Sequence, residues 1–84
     1  MTYRIEIDRP ARKALDALDG SVHSRVVAAI RGLADDPRPA GCTKMTGRAA
    51  WRIRIGDYRV VYEIHDRVLV VMVVEVGHRR EVYR

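Results

Sequence analysis

The chain has one cysteine, Cys42, so no intramolecular disulfide can form. It has no long apolar run either. The longest, Val68 to Val74, covers seven residues, against the roughly 20 that a helix needs to cross a bilayer. No membrane partner is therefore expected. Arg4, Glu6 and Asp8 interrupt any apolar stretch near the start, so no signal peptide is expected and the protein is placed in the cytoplasm. His23, His65 and His78 have no spacing that suggests a metal site, and no cofactor is expected. Repeats, low-complexity tracts and linkers are missing, which predicts one domain over residues 1–84. Lysine is scarce. Of the 16 basic residues only Lys13 and Lys44 are lysines, and the rest are arginine. Codon composition can produce that ratio, but arginine also offers a planar fork suited to phosphate.

The net charge of +5 is unevenly spread. Residues 1–36 hold six basic and six acidic groups, whereas residues 37–84 hold ten basic and five acidic. The whole excess therefore lies in the second part, and it favours a polyanionic partner there.

Hydrophobic periodicity sets the expected elements. Tyr3 to Ile7 alternates apolar and polar and predicts a strand. Asp8 is a good N-cap and Pro10 suits a first helical turn. Ala11, Ala14, Leu15 and Leu18 then make one apolar stripe. Asp19-Gly20 ends that helix and Ser21 is expected to cap the next. Its buried face is Val22, Val26, Ala29, Ile30 and Leu33, with Arg25 and Arg31 outside and Asp35-Asp36-Pro37 as the stop. Residues 37–48 form a loop with a short strand around Thr43 to Met45. Strands follow over Trp51 to Ile55, Tyr58 to Ile64 and Val68 to Val76, with Gly77 expected to break the last. His78 to Arg84 forms a tail, as a short strand or an extended segment. The fold class is α+β: a small antiparallel sheet backed by an N-terminal two-helix hairpin, in the order βααβββ. The second sheet face is then open to solvent or to a ligand.

Register carries the functional argument. If Gly56-Asp57 is a two-residue hairpin loop, Arg54 faces Arg59, Arg52 faces Val61 and Trp51 faces Tyr62. Trp51, Ile53, Ile55, Tyr58, Val60, Tyr62 and Ile64 then share the core face, which makes the aromatics core residues rather than base-stacking platforms. Arg52, Arg54 and Arg59 share the other face. A longer loop would shift this pairing. Opposed like charges destabilise a sheet by about 0.2–1 kcal/mol per pair, so three arginines on one face point to an anion bound there. Simple solvation of the face, with Asp57 and Glu63 as counter-charges, is the alternative.

Several motifs together resemble the RelE/ParE superfamily of bacterial type II toxins, on its RelE side. They are Tyr3-Arg4-Ile5 before a helical hairpin, Pro37-Arg38-Pro39, Lys44-Met45-Thr46-Gly47, the stretch Trp51 to Tyr62, and the ending Val76-Gly77-His78-Arg79-Arg80-Glu81-Val82-Tyr83-Arg84. The resemblance implies a ribosome-dependent mRNA endonuclease that works in the ribosomal A site. It also implies a cognate antitoxin that holds the toxin inactive, with operator DNA contacted only through that antitoxin. It implies catalytic roles for Arg52, Arg54, Arg59 and Arg79, and base stacking for Tyr83. Lys44, Arg48 and Arg80 are added as RNA-contacting cations. The implied reaction is attack by the neighbouring 2′-hydroxyl on the phosphate, without a metal. Arginine cannot serve as a general base at neutral pH, which leaves His78 as the candidate for proton transfer. A ParE-like inhibitor of DNA gyrase, on the same fold and without RNA cleavage, remains open, as does a degenerate toxin that only binds antitoxin.

Overall fold

The computed structural model describes residues 2–78. In chain order the elements are β1 (Arg4–Ile7), α1 (Arg9–Asp16), α2 (Gly20–Gly32), β2 (Thr43–Lys44), β3 (Trp51–Ile55), β4 (Tyr58–His65) and β5 (Val70–His78). The five strands form one sheet in the order β1-β5-β4-β3-β2. The run β2 to β5 is antiparallel, as the sequence predicts. β1 joins the far edge in parallel with β5, so the sheet is mixed. The chain leaves β1 through the helical hairpin and returns by a meander, and the last strand of that meander runs in the direction of β1.

Asp8 caps α1 as expected: its Oδ1 accepts the Ala11 N–H at 3.1 Å. Ala11 and Leu15 turn inward. α2 begins one residue before Ser21. Asp19, in extended conformation, takes the N-cap position without a side-chain bond, and Ser21 lies inside the first turn. Val26, Ile30 and Leu33 pack from α2 and its end onto Val60, Tyr62, Val71 and Val73. The Tyr62 hydroxyl, inside this core, donates to the Pro37 carbonyl at 2.8 Å and ties down the loop after α2. Burial pushes that phenol's pKa well up.

Two details of the strands differ from expectation. β5 starts at Val70, because Asp66 to Leu69 form a four-residue turn in which Leu69 takes a φ of 55°. Gly77 lies within β5, which runs on to His78. The valine-rich run also contains a bulge. Val61 pairs with Glu75 but Tyr62 pairs with Val73, so Val74 has no partner in register. That one extra residue lets Val71, Val73 and Val76 all reach the core while Glu75 stays on the other face.

Candidate nucleic-acid interface

The β3–β4 hairpin has the predicted register: Trp51 opposite Tyr62, Arg52 opposite Val61, Ile53 opposite Val60, Arg54 opposite Arg59 and Ile55 opposite Tyr58. The turn explains why Gly precedes Asp. Gly56 has φ 60° and Asp57 is not in the positive-φ region, which is the pattern of a type II′ turn, with glycine at its first central position. A methyl group placed on Gly56 would also meet the Arg25 guanidinium at 3.4 Å. α2 therefore brings a further cation to the hairpin tip, from the helix side. The one-dimensional signal for it was only an exposed arginine on α2.

Arg52, Arg54 and Arg59 share the face away from the helices. That face is not the open surface expected. Val61 is completely buried, Arg59 is 5% exposed and Val70 is 7% exposed. Arg52 is half-buried and only Arg54 is exposed. The cross-strand rows show how this arises. Thr43, Arg52, Val61 and Glu75 stand side by side across four strands, so a valine sits between long side chains. Such side chains cover apolar sheet with their stems and extend their charged ends outward. Arg59 stands opposite Gly77, where β5 contributes no side chain.

Charge on this face is graded along the strands. The row nearest the hairpin tip holds Arg54 and Arg59. Two rows away Glu63 pairs in register with Met72, and Met72 with Glu6. These acids have partners of their own: Glu63 contacts His65 at 3.0 Å and Glu6 contacts Arg4 at 2.7 Å. Glu63 thus faces His65 rather than serving the arginine cluster as its counter-charge. Arg59 is thus the most shielded member of the trio and Arg54 the most accessible.

The other candidates separate. His78 does not join the arginines: it lies opposite Tyr58 on the helix-facing side. The two rings meet edge to face, with centroids 5.2 Å apart, beside Ala14, Ala17 and Leu18 of the first helical segment. Strand alternation is the reason. With Gly77 inside β5 on the arginine face, residue 78 must point the other way. Lys44 lies opposite Trp51, again off the arginine face, and its Nζ donates to the Arg48 carbonyl at 3.2 Å. Arg48 is exposed in the turn before β3. Arg79, Arg80 and Tyr83 lie outside the described residues, as does the tail strand expected there.

A second polar cluster was not foreseen. Arg38 pairs with Asp66 at 3.1 Å, and Tyr3 donates to Asp66 at 2.5 Å. The Arg38 guanidinium also lies 5.2 Å from the Trp51 ring centre. Arg38 and then Tyr3 hold the Asp66 carboxyl below the usual carboxylate range. The same bond to Asp66 raises the Tyr3 phenol. This group joins the N-terminus, the loop after α2 and the β4–β5 turn. Its only sequence signal was an arginine between two prolines.

The family model for the ParE toxin of type II toxin–antitoxin systems matches residues 5–83. The chain belongs to the ParE toxin family. Its fold places this toxin beside RelE structures, within the RelE/ParE superfamily. The archaeal RelE–RelB complex from Pyrococcus horikoshii OT3 is 29% identical, with a TM-score of 0.83 over 94% of this chain and 97% of that one. A mutant Escherichia coli RelE toxin in the free state is 28% identical, with a TM-score of 0.81 over 99% and 92%. A toxin–antitoxin complex of Mycobacterium tuberculosis is 26% identical, with a TM-score of 0.81 over 94% and 100%. A sequence comparison with curated proteins finds no match. The toxin's partner is a cognate antitoxin, in keeping with relatives solved as toxin–antitoxin complexes. No helix among the described residues is long and apolar enough to cross a membrane.

Proposed function

We propose that this toxin is a ribosome-dependent mRNA endonuclease acting in the cytoplasm. The observation that carries this reading is the cross-strand pair Arg54–Arg59, with Arg52 two residues away on the same face. Two guanidinium groups opposed across a sheet offer paired planar forks to a phosphate. The proposed reaction begins with attack of the 2′-oxygen on the adjacent phosphorus. The 2′-hydroxyl gives up its proton, the bond to the 5′-oxygen breaks and that oxygen takes up a proton, leaving a 2′,3′-cyclic phosphate and a 5′-hydroxyl. Arg59, Arg52 and Arg54 stabilise the negative charge that grows on the phosphoryl oxygens. Arg79 adds charge at the leaving oxygen and Tyr83 stacks on a base. His78, across the sheet from the trio, would reach the substrate only around the end of β5.

The ParE match supports a second reading, in which a toxin of the same fold inhibits DNA gyrase and no RNA is cut. Translation in vitro with primer extension on the message separates the two. Codon-phased cuts that need ribosomes support the nuclease. Uncut message together with gyrase-dependent DNA breaks selects the gyrase inhibitor. Ribosome binding should weaken steeply with salt, as phosphate contacts require, and a flat dependence would count against the arginine face.

A further inference from the structure

Cleavage by a 2′-hydroxyl needs a group that takes up its proton, and a guanidinium cannot do so at neutral pH. His78 stands opposite Tyr58 on the helix-facing side. Among the described residues, the two rows of the arginine face nearest the hairpin tip hold one acid, Glu75. It lies in register with Val61 and Arg52, in the row next to the one that holds Arg54, Arg59 and Gly77. The bulge is what turns it to this side. Without the extra residue Val74, Val61 would meet Val74, Val60 would meet Glu75, and the carboxylate would point at the helices. Bulges that re-aim a side chain recur beside active sites.

Glu75 is half-buried, and its carboxylate makes no ion pair among the described residues. The other two acids of this face differ: Glu63 is held by His65 and Glu6 by Arg4. The charged groups nearest Glu75 on its face are Arg59 of β4, one row towards the tip, and Arg52 of β3, across Val61. The Glu63–His65 and Glu6–Arg4 pairs occupy the two rows on its other side. Arg59 and Glu75 are diagonal neighbours, a spacing within reach of long side chains. Same-face rows lie about 7 Å apart along a strand, so one ribose fits between a phosphate at Arg54–Arg59 and the Glu75 carboxylate.

We infer that Glu75 is the general base of the cleavage, an assignment that rests on the nuclease reading and names its missing proton acceptor. A carboxylate oxygen of Glu75 takes the proton of the 2′-hydroxyl as the 2′-oxygen bonds to phosphorus. The bond to the 5′-oxygen breaks, and that oxygen takes a proton from water. Glu75 then gives its proton back to the solvent, where it neutralises the hydroxide left by that step. Arg54 and Arg59 hold the phosphate throughout. A base placed in this way accelerates a reaction by roughly 10²–10⁴-fold.

The test measures single-turnover cleavage of message on programmed ribosomes by the full-length toxin, together with its binding to those ribosomes. Glu75→Gln keeps the size of the side chain and removes the base. It should cut about 100-fold or more slowly than the parent and bind ribosomes within about threefold of it. Glu63→Gln, at the acid that His65 holds, should cut within about threefold of the parent. Glu75→His tells a base from a structural role. At about pH 8 it should cut at least ~10-fold faster than Glu75→Gln. Its rate should fall on acidification with a midpoint no higher than about 6.5, the ordinary histidine value, since Arg52 and Arg59 disfavour a charged imidazole. Cleavage by Glu75→Gln within about threefold of the parent would overturn the inference. So would a Glu75→His rate that follows Glu75→Gln at every pH. A parent that leaves the message uncut sinks the nuclease reading and this assignment with it. A parent and a Glu75→Gln variant that cut alike sink the assignment alone, so the two failures are distinguishable.

Discussion

The two faces of the sheet obey different rules. On the helix-facing side, alternation and burial coincide: Ile53, Val60, Tyr62, Val71, Val73 and Val76 are all buried there. On the far side alternation holds and burial does not follow polarity, because Val61 and Arg59 are as hidden as core residues. A core face is specified by hydrophobicity alone. The far face is specified by what its long side chains cover and by what they present. The position of a charge along the sequence therefore predicted its face, but not its exposure.

The largest expected effect tests the charged face directly. Arg59→Ala should lower message cleavage by a factor on the order of 10²–10³, the usual loss when one donor to a developing oxyanion is removed. Arg54→Ala, at an exposed position, should cost less. The double variant Arg59→Ala/Arg79→Ala should abolish growth arrest while keeping the far-UV circular dichroism of the parent. Arrest that persists in a folded double variant would remove these arginines from the chemistry.

The next comparison sets Val60→Ala against Val61→Ala. These neighbours point to opposite faces, and both are 0% exposed. If the far face is packed like the core, each truncation should cost about 2 kcal/mol in urea unfolding, the low end of the range for large-to-small changes in well-packed sites. If Val61→Ala costs less than half as much as Val60→Ala, the cover over Val61 is loose side-chain shielding rather than packing.

The legibility of this fold follows from that division. The Asp8 cap, the inward stripes of both helices and the whole β3–β4 register could be read from periodicity and turn chemistry. Each depends on residues within a few positions of one another. The Val74 bulge could not be read, because Val70 to Val74 are apolar throughout and slipping by one within that run changes no hydrophobic label. The parallel pairing of β1 with β5 could not be read either, since it joins the two ends of the described chain. The placement of His78 failed for a related reason. Glycine usually interrupts a strand, yet Gly77 sits inside β5, and His78 ends that strand on the helix-facing side. Arg25 and Arg38 were missed as site-forming residues because their contacts, at Gly56 and at Asp66 and Trp51, are made across the tertiary structure.

A smaller effect is expected at Tyr62. Tyr62→Phe removes the bond to the Pro37 carbonyl and keeps the ring, so it should cost about 1 kcal/mol at neutral pH. The folded-state pKa of this phenol is raised, so its contribution is fully present below the ordinary tyrosine pKa and is lost as pH rises through the folded value. The parent should therefore lose stability above about pH 10, and Tyr62→Phe should lose less over the same range. Parallel alkaline unfolding curves would show that this hydroxyl does not set the limit.

The smallest effect is at Asp66, where both partners are exposed and the pairing is screened. Its folded-state pKa is lowered, chiefly by the bond from Arg38. The sign is opposite to that of Tyr62. The contribution is present above the ordinary carboxylate pKa, near 4, and is lost as pH falls through the lower folded value. Asp66→Asn should thus be slightly less stable than the parent at pH 7 and converge with it in acid. The mutation also frees Arg38, which lies over Trp51 on the helix-facing side. If the helix-facing aromatics are purely core, Asp66→Asn should leave message cleavage unchanged while Trp51 fluorescence shifts. A drop in cleavage would mean that the Arg38–Trp51 corner contributes to RNA contact, and the division of labour between the two faces would then have to be redrawn.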